Sequence, residues 1–271
     1  MKLKLIANRR ANAYLVIALL CGLLAIPSLA WGAGSGAGSP ASSGGGSITP
    51  ASAPSVQLAN QTVTASGDGI TLSTMSTAML RNGLTFTGTT SSSEAGQTVE
   101  IERLWHETNW QWTPTVTTTV ASDGSFSGVW LTNHIGRFQI RAVLGQPSAA
   151  DVSTAAPTVT TTVYRPSLAT QYGPGLYGRR TACGQRLHRN TIGIANRFLP
   201  CGSQVALEYG GRTMVVTVID RGPYANGADW DLTTATGRAL GIDGTAKIGA
   251  VSLPAQPTAL AAQHAAQSAQ P

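Results

Sequence analysis

Apolar and polar positions alternate with a period of two through much of the chain, in short runs cut by turn residues, which predicts strands rather than helices. Before the middle of the chain the runs are 83–88, 98–104, 115–120, 125–130 and 136–143, with Ala121-Ser122-Asp123-Gly124 as a turn between two of them. Strands at such spacing predict a small antiparallel sandwich over 55–164. Residues 149–166, rich in Thr, Ala and Val, read as a linker or as its last strand. Farther on, 204–209 and 213–219 flank Gly210-Gly211 and read as a hairpin. Asp231-Leu232-Thr233 reads as the cap of a short helix on which Leu232, Ala235, Ala239 and Leu240 share a face and which Gly241 ends.

The two ends of the chain carry different patterns. Lys2, Lys4, Arg9 and Arg10 precede an apolar stretch from 13 to 24, and Ser28-Leu29-Ala30 then supplies small residues. This predicts a secretory signal over 1–30, cleaved after about Ala30, and therefore an extracellular, periplasmic or wall-associated protein. An uncleaved anchor is the competing reading, since 11–31 is just long enough to span a bilayer. A lipid-modified Cys21 is not expected, because Leu20 stands before it and the apolar run continues past it. Residues 31–54 are almost all Gly, Ser, Ala and Pro and predict a flexible tether. The Ala/Gln-rich segment 252–271 has no amphipathic stripe and is expected to be disordered.

Charge alters the picture only after the signal is set aside. The formal net charge is +6, but four positive charges belong to the signal, which leaves +2. Within 166–251 nine Lys/Arg face five Asp/Glu. That mildly basic region suits an anionic polymer, yet no basic block interleaves with aromatics, and a nucleic-acid site is not expected. Cys183 and Cys201 are the pair left after export, so one disulfide is expected in an oxidising compartment. Two cysteines without clustered histidines make a poor zinc site, and neither metal nor cofactor is expected.

The chemistry concentrates in 168–251. Ala169-Thr170-Gln171-Tyr172-Gly173-Pro174-Gly175-Leu176-Tyr177-Gly178-Arg179-Arg180-Thr181-Ala182-Cys183-Gly184 is glycine-rich around aromatics and predicts a tight loop walling a groove. Next come Leu199-Pro200-Cys201-Gly202-Ser203 before a strand, Val218-Ile219-Asp220-Arg221-Gly222-Pro223-Tyr224 after one, and Asp231-Leu232-Thr233. In this order these segments closely resemble rare lipoprotein A-like double-psi β-barrels. The Thr181-Ala182-Cys183-Gly184 start and Trp230-Asp231-Leu232-Thr233 also resemble the related barrel of expansins. The expected fold is therefore all-β: a six-stranded double-psi β-barrel over 168–251, preceded over 55–164 by a sandwich that loosely resembles the immunoglobulin-like modules of bacterial surface proteins. In that sandwich Trp105, Trp110, Trp112 and Trp130 read as core, with a sugar-stacking platform as the alternative.

What the resemblance implies is lytic transglycosylation of peptidoglycan. An acid protonates the bond between N-acetylmuramic acid and N-acetylglucosamine, and the muramyl 6-hydroxyl closes a 1,6-anhydro ring. No water is consumed, so one carboxyl acting first as acid and then as base suffices. Asp220 matches the family's motif and is the expected acid/base. Asp231, aligned with the functional aspartate of expansin-like barrels, is the second candidate, with helix capping as its bland alternative.

The chain departs from the family where Gln185 stands for a usual Glu and Asn196 for a usual His, and amides cannot cycle a proton. His188 is a possible replacement base. Gln185, Asn196, Tyr172, Tyr177, Tyr224 and Trp230 are expected to meet sugar, with Arg179 and Arg180 meeting carboxylates. The expected partner is the peptidoglycan glycan strand, with division or other wall proteins as possible partners of the sandwich. The competing function is an expansin-like, non-catalytic glycan-binding and wall-loosening protein in which Gln185 and Asn196 are ligands only.

Overall fold

In a computed structural model the chain is described over residues 54–145, 155–224 and 227–254. The expected signal over 1–30, almost all of the expected tether and most of the expected disordered tail lie outside these residues. Among the described residues the secondary structure is β with one short α-helix and two 3-10 turns, Ser92–Glu94 and His106–Thr108. The strands are β1 (Gln57–Leu58), β2 (Thr62–Gly67), β3 (Ile70–Met75), β4 (Thr77–Met79), β5 (Gly83–Thr89), β6 (Thr98–Leu104), β7 (Thr113–Thr119), β8 (Ser125–Leu131), β9 (Gly136–Leu144), β10 (Thr158–Tyr172), β11 (Ile194–Ala195), β12 (Gln204–Tyr209), β13 (Arg212–Asp220), β14 (Trp230–Thr233) and β15 (Ala246–Leu253). The helix, α1, is Thr234–Leu240.

The first part is a two-sheet sandwich. One sheet has the order β2-β3-β5-β8, and the other runs β7-β6-β9-β10 with β4 added beside β10. Period-two alternation sends Ile70 and Leu72, Leu84 and Phe86, and Phe126 and Trp130 inward from one sheet. Val99 and Ile101, Phe138 and Ile140, and Val159 and Val163 meet them from the other. Trp105 and Trp130 are core, at 2% and 5% exposed, as the bland reading expected. Trp110 and Trp112 are only half-buried.

The second part is a closed barrel of six strands, ordered β14-β11-β13-β12-β15-β10, with a parallel β10–β14 pair completing the ring. A second parallel pair joins β11 to β13. Closure leaves no unpaired edge within the ring. Inside it lie Ala169, Ile194, Val205, Leu207, Val216, Leu232 and Leu240. The β12–β13 hairpin turns on Gly210 and Gly211 at φ 56° and 77°, the left-handed pair that a two-residue turn needs.

One open reading is settled and two expectations are corrected. Of the two readings of 149–166, the last strand holds from Thr158 on: β10 is one strand of 15 residues that pairs with β9 in the sandwich, then with β15 and β14 in the barrel. Asp231 does not cap the helix. It lies within β14, and Thr233 is the cap, its hydroxyl accepting from the Thr236 amide at 3.2 Å. Leu232 is accordingly a strand residue facing the barrel core, while Gly241 does end the helix at φ 81°. Finally, Ser252 and Leu253, placed in the tail from sequence, pair with Val205 and Gln204.

Candidate functional site

Four strands place one residue each in a single row across the outside of the barrel wall. Thr170 of β10 pairs with Asp231 of β14, Asp231 with Ala195 of β11, and Ala195 with Asp220 of β13. The residues before them in β10, β14 and β11, Ala169, Trp230 and Ile194, point into the core. The row therefore faces outward by simple alternation.

Asp220 would break that alternation, because Val218 is itself a core residue. A register shift resolves it: Ile194 pairs with Val218 but Ala195 with Asp220, so Ile219 is an extra residue in β13. Bulges commonly re-aim one side chain beside an active site. Here the bulge turns Asp220 to the same face as Asp231. Gly193, which precedes β11, makes room for it, since a Cβ there would run into the Ile219 side chain.

The two carboxylates are held differently. Asp220 Oδ1 accepts from the backbone amides of Ala182 and Arg221, both at 2.8 Å. Asp231 Oδ1 accepts from the Thr170 hydroxyl at 2.9 Å. Burial holds the Asp231 carboxyl above the usual carboxylate range. The Thr170 hydrogen bond opposes that, and the nearby charge of Asp220 adds to it. Tyr172, two residues beyond Thr170 and so on the same face, has its phenol pushed well above its ordinary value by burial, then by Asp220 and Asp231. Its hydroxyl is buried without a hydrogen-bond partner among the described residues. The chain thus gathers two carboxylates, Asp231 with its proton affinity raised, around a phenol, which suits proton transfer.

Residues 173–192 form the wall over this row. A small backbone ladder, Gly178 to Leu187 and Leu187 to Arg179, folds the segment on itself, and Leu187 is its buried anchor. At Gly173 a side chain would collide with Thr234 and Tyr177, which explains the glycine where β10 ends. The Cys183–Cys201 disulfide pins the segment to the turn before β12.

The remaining candidate residues are scattered by comparison. Tyr177 is half-buried with Arg189 over its ring at 5.4 Å. Arg179, Gln185 and His188 are exposed on the wall segment, and Arg180 donates to the Gly184 carbonyl at 2.8 Å. Tyr224 is 79% exposed.

Two residues are not placed to meet a ligand. Trp230 belongs to the barrel core at 9% exposure, so the expected sugar contact is corrected. Asn196 is buried, its amide oxygen accepting from the Phe198 and Leu199 amides at 3.0 and 2.9 Å and its nitrogen donating to the Asp229 carbonyl. It shapes the turn.

Sequence reasoning passed over two residues. Thr170, the partner of Asp231, could have been found from its period-two offset to Tyr172. Phe198, 83% exposed, lies in a turn tied to the Tyr224 turn by Arg197 donating to the Pro223 carbonyl at 3.1 Å. Among the described residues no cluster of three or more His, Cys, Asp or Glu could hold a metal ion.

The sequence comparisons match the barrel region. Residues 169–252 match the sequence family described as "Lytic transglycolase". The chain is 43% identical over 77 residues to the "Probable endolytic peptidoglycan transglycosylase RlpA" of Synechocystis sp., covering 28% of this chain and 24% of that one. It is 38% identical over 76 residues to the protein of the same name from Aquifex aeolicus, covering 27% and 34%. The chain thus spans about a quarter to a third of the length of these relatives. Among solved structures, Streptomyces papain inhibitor aligns over 33% of this chain and 93% of its own, at 24% identity and a TM-score of 0.27.

Proposed function

We propose, from the RlpA-like double-psi barrel that residues 169–252 form, that this protein is an exported lytic transglycosylase of peptidoglycan glycan strands. Export rests on the signal-like N-terminal sequence. The observation that carries the catalytic reading is the pairing of Asp231 and Asp220 on one face, with the Asp231 carboxyl held above the usual range by burial and, secondarily, by the charge of Asp220.

The geometry favours a division of labour within the expected pair. Asp231 begins protonated and gives its proton to the glycosidic oxygen, so that the bond to muramyl C1 breaks. Asp220, whose Oδ1 is fixed by two amides, is placed to stabilise the positive charge developing on the ring. The muramyl 6-hydroxyl then attacks C1, and its proton returns to the Asp231 carboxylate. The products are a free 4-hydroxyl and a 1,6-anhydromuramyl end.

Two observations favour the non-catalytic alternative. Gln185 supplies no titrating group, and one oxygen of Asp220 is engaged in holding the wall segment. Purified sacculi incubated with the mature chain decide the matter by mass spectrometry. The enzyme reading expects 1,6-anhydromuramyl ends that fall by about 10²–10⁴ in Asp231→Asn, with sacculus pulldown retained. Absence of such ends from wild type, with pulldown intact, replaces it with the binding protein.

A further inference from the structure

A second concave feature lies along β13. Between sandwich and barrel lies a cleft of about 1100 Å³, above the usual range for a small-molecule site. It adjoins a cavity of about 650 Å³, and both are lined by Trp110, Arg137, Gln204 and Val215.

The lining of the larger cleft is neutral and polar, with Gln57, Gln61, Gln139 and Gln204 among several threonines and serines. Arg137 is its one charged residue, and among the described residues it meets no carboxylate within ion-pair distance. Trp110 follows Asn109, and the two sit at φ 58° and 54°. A bulky side chain rarely accepts that left-handed backbone. The strain is held by the Trp110 amide donating to the Trp105 carbonyl at 3.1 Å, and strain of this kind gathers at ligand sites. An aromatic face, amide side chains and an unpaired guanidinium together match a sugar chain bearing a carboxylate.

Position supports the same occupant. Thr213, Val215 and Thr217 of β13 line the cleft, and Asp220 ends the same strand. At about 3.3 Å per residue, Thr217 is roughly 10 Å from Asp220. One extended polymer laid along β13 reaches both places.

We propose that this cleft is a second subsite for a carboxylate-bearing glycan, Trp110 lying against a pyranose face and Arg137 meeting the carboxylate. The inference rests on the wall-glycan reading of the barrel and adds a substrate-holding region that neither the sandwich nor the barrel has alone.

The test is calorimetric binding of soluble glycan strands to the full mature chain carrying Asp231→Asn, so that nothing is turned over. Strands with stem peptides, strands stripped of them, and carboxylate-free chitotetraose are compared. Arg137→Gln should weaken binding of carboxylate-bearing strands roughly tenfold and leave chitotetraose unchanged. Trp110→Ala should weaken all three. A loss on stripped strands assigns the carboxylate to the sugar, and a loss confined to peptide-bearing strands assigns it to the peptide. Unchanged affinity of Arg137→Gln for both kinds of strand, with an unaltered melting temperature, overturns the proposal. Should wild type yield no anhydromuramyl ends while the Arg137 effect is present, the subsite stands and the catalytic reading falls.

Discussion

Replacing both Cys183 and Cys201 by serine tests the wall segment directly. The bridge closes a loop with a sequence separation of 18, and chain entropy alone assigns it about 3 kcal/mol. For a folded unit near 200 residues, each kcal/mol moves the melting temperature by about 2–4 °C, so the loss should be about 6–12 °C. Ala182, whose amide bonds Asp220, directly precedes the bridged Cys183. With Leu187 still anchoring the segment, activity at low temperature should fall less than stability does. Scanning calorimetry and a glycan-cleavage assay at 15 °C and 35 °C measure both effects. A melting temperature lowered by less than about 2 °C would refute the reasoning, because the segment would then be ordered without its covalent tie. Two free thiols in exported wild type, counted by alkylation under denaturing conditions, would refute it sooner.

Other perturbations should act with definite signs. Asp220→Asn removes one cause that holds the Asp231 carboxyl high, so the high-pH limb of activity should move to lower pH. Thr170→Val removes the hydrogen bond that opposes it, so the limb should move to higher pH; limbs that shift together in a pH–rate profile would refute this pairing. Because the folded pKa of Asp231 is raised, stability is lost as pH rises through it. Asp231→Asn should therefore melt higher than wild type at pH 8, by a margin that shrinks toward pH 4. Gly193→Ala should force Ile219 aside and lower both stability and activity, readable in urea unfolding and cleavage rates. Trp230→Ala should cost about 3–5 kcal/mol as a core deletion, and sacculus pulldown by the fraction still folded should be unchanged.

Much of the barrel was legible because local chemistry and final environment agree there. The glycine pair at 210–211 announced its hairpin, and the residues around Asp220 and Cys201 carried the family likeness. The error at Asp231 has a physical source: Asp231 and Thr233 are both good caps, and alternation within four residues cannot decide between them. Neither the bulge at Ile219 nor the row joining Thr170, Asp231, Ala195 and Asp220 could be read from sequence. Both depend on register between strands remote in the chain, and register is set by tertiary packing. Trp230 misled for the converse reason, since an aromatic beside an aspartate looks like a sugar site until its strand turns it inward.

The 15-residue strand β10 means that the chain's two halves are not beads on a string. Their junction is an unbroken backbone ribbon, hydrogen-bonded on the sandwich side by β9 and on the barrel side by β15. It is braced again where β1 pairs with β13. Cutting such a ribbon severs a covalent junction that ladders on both sides hold extended. Expression and engineering should therefore treat the two halves as one piece.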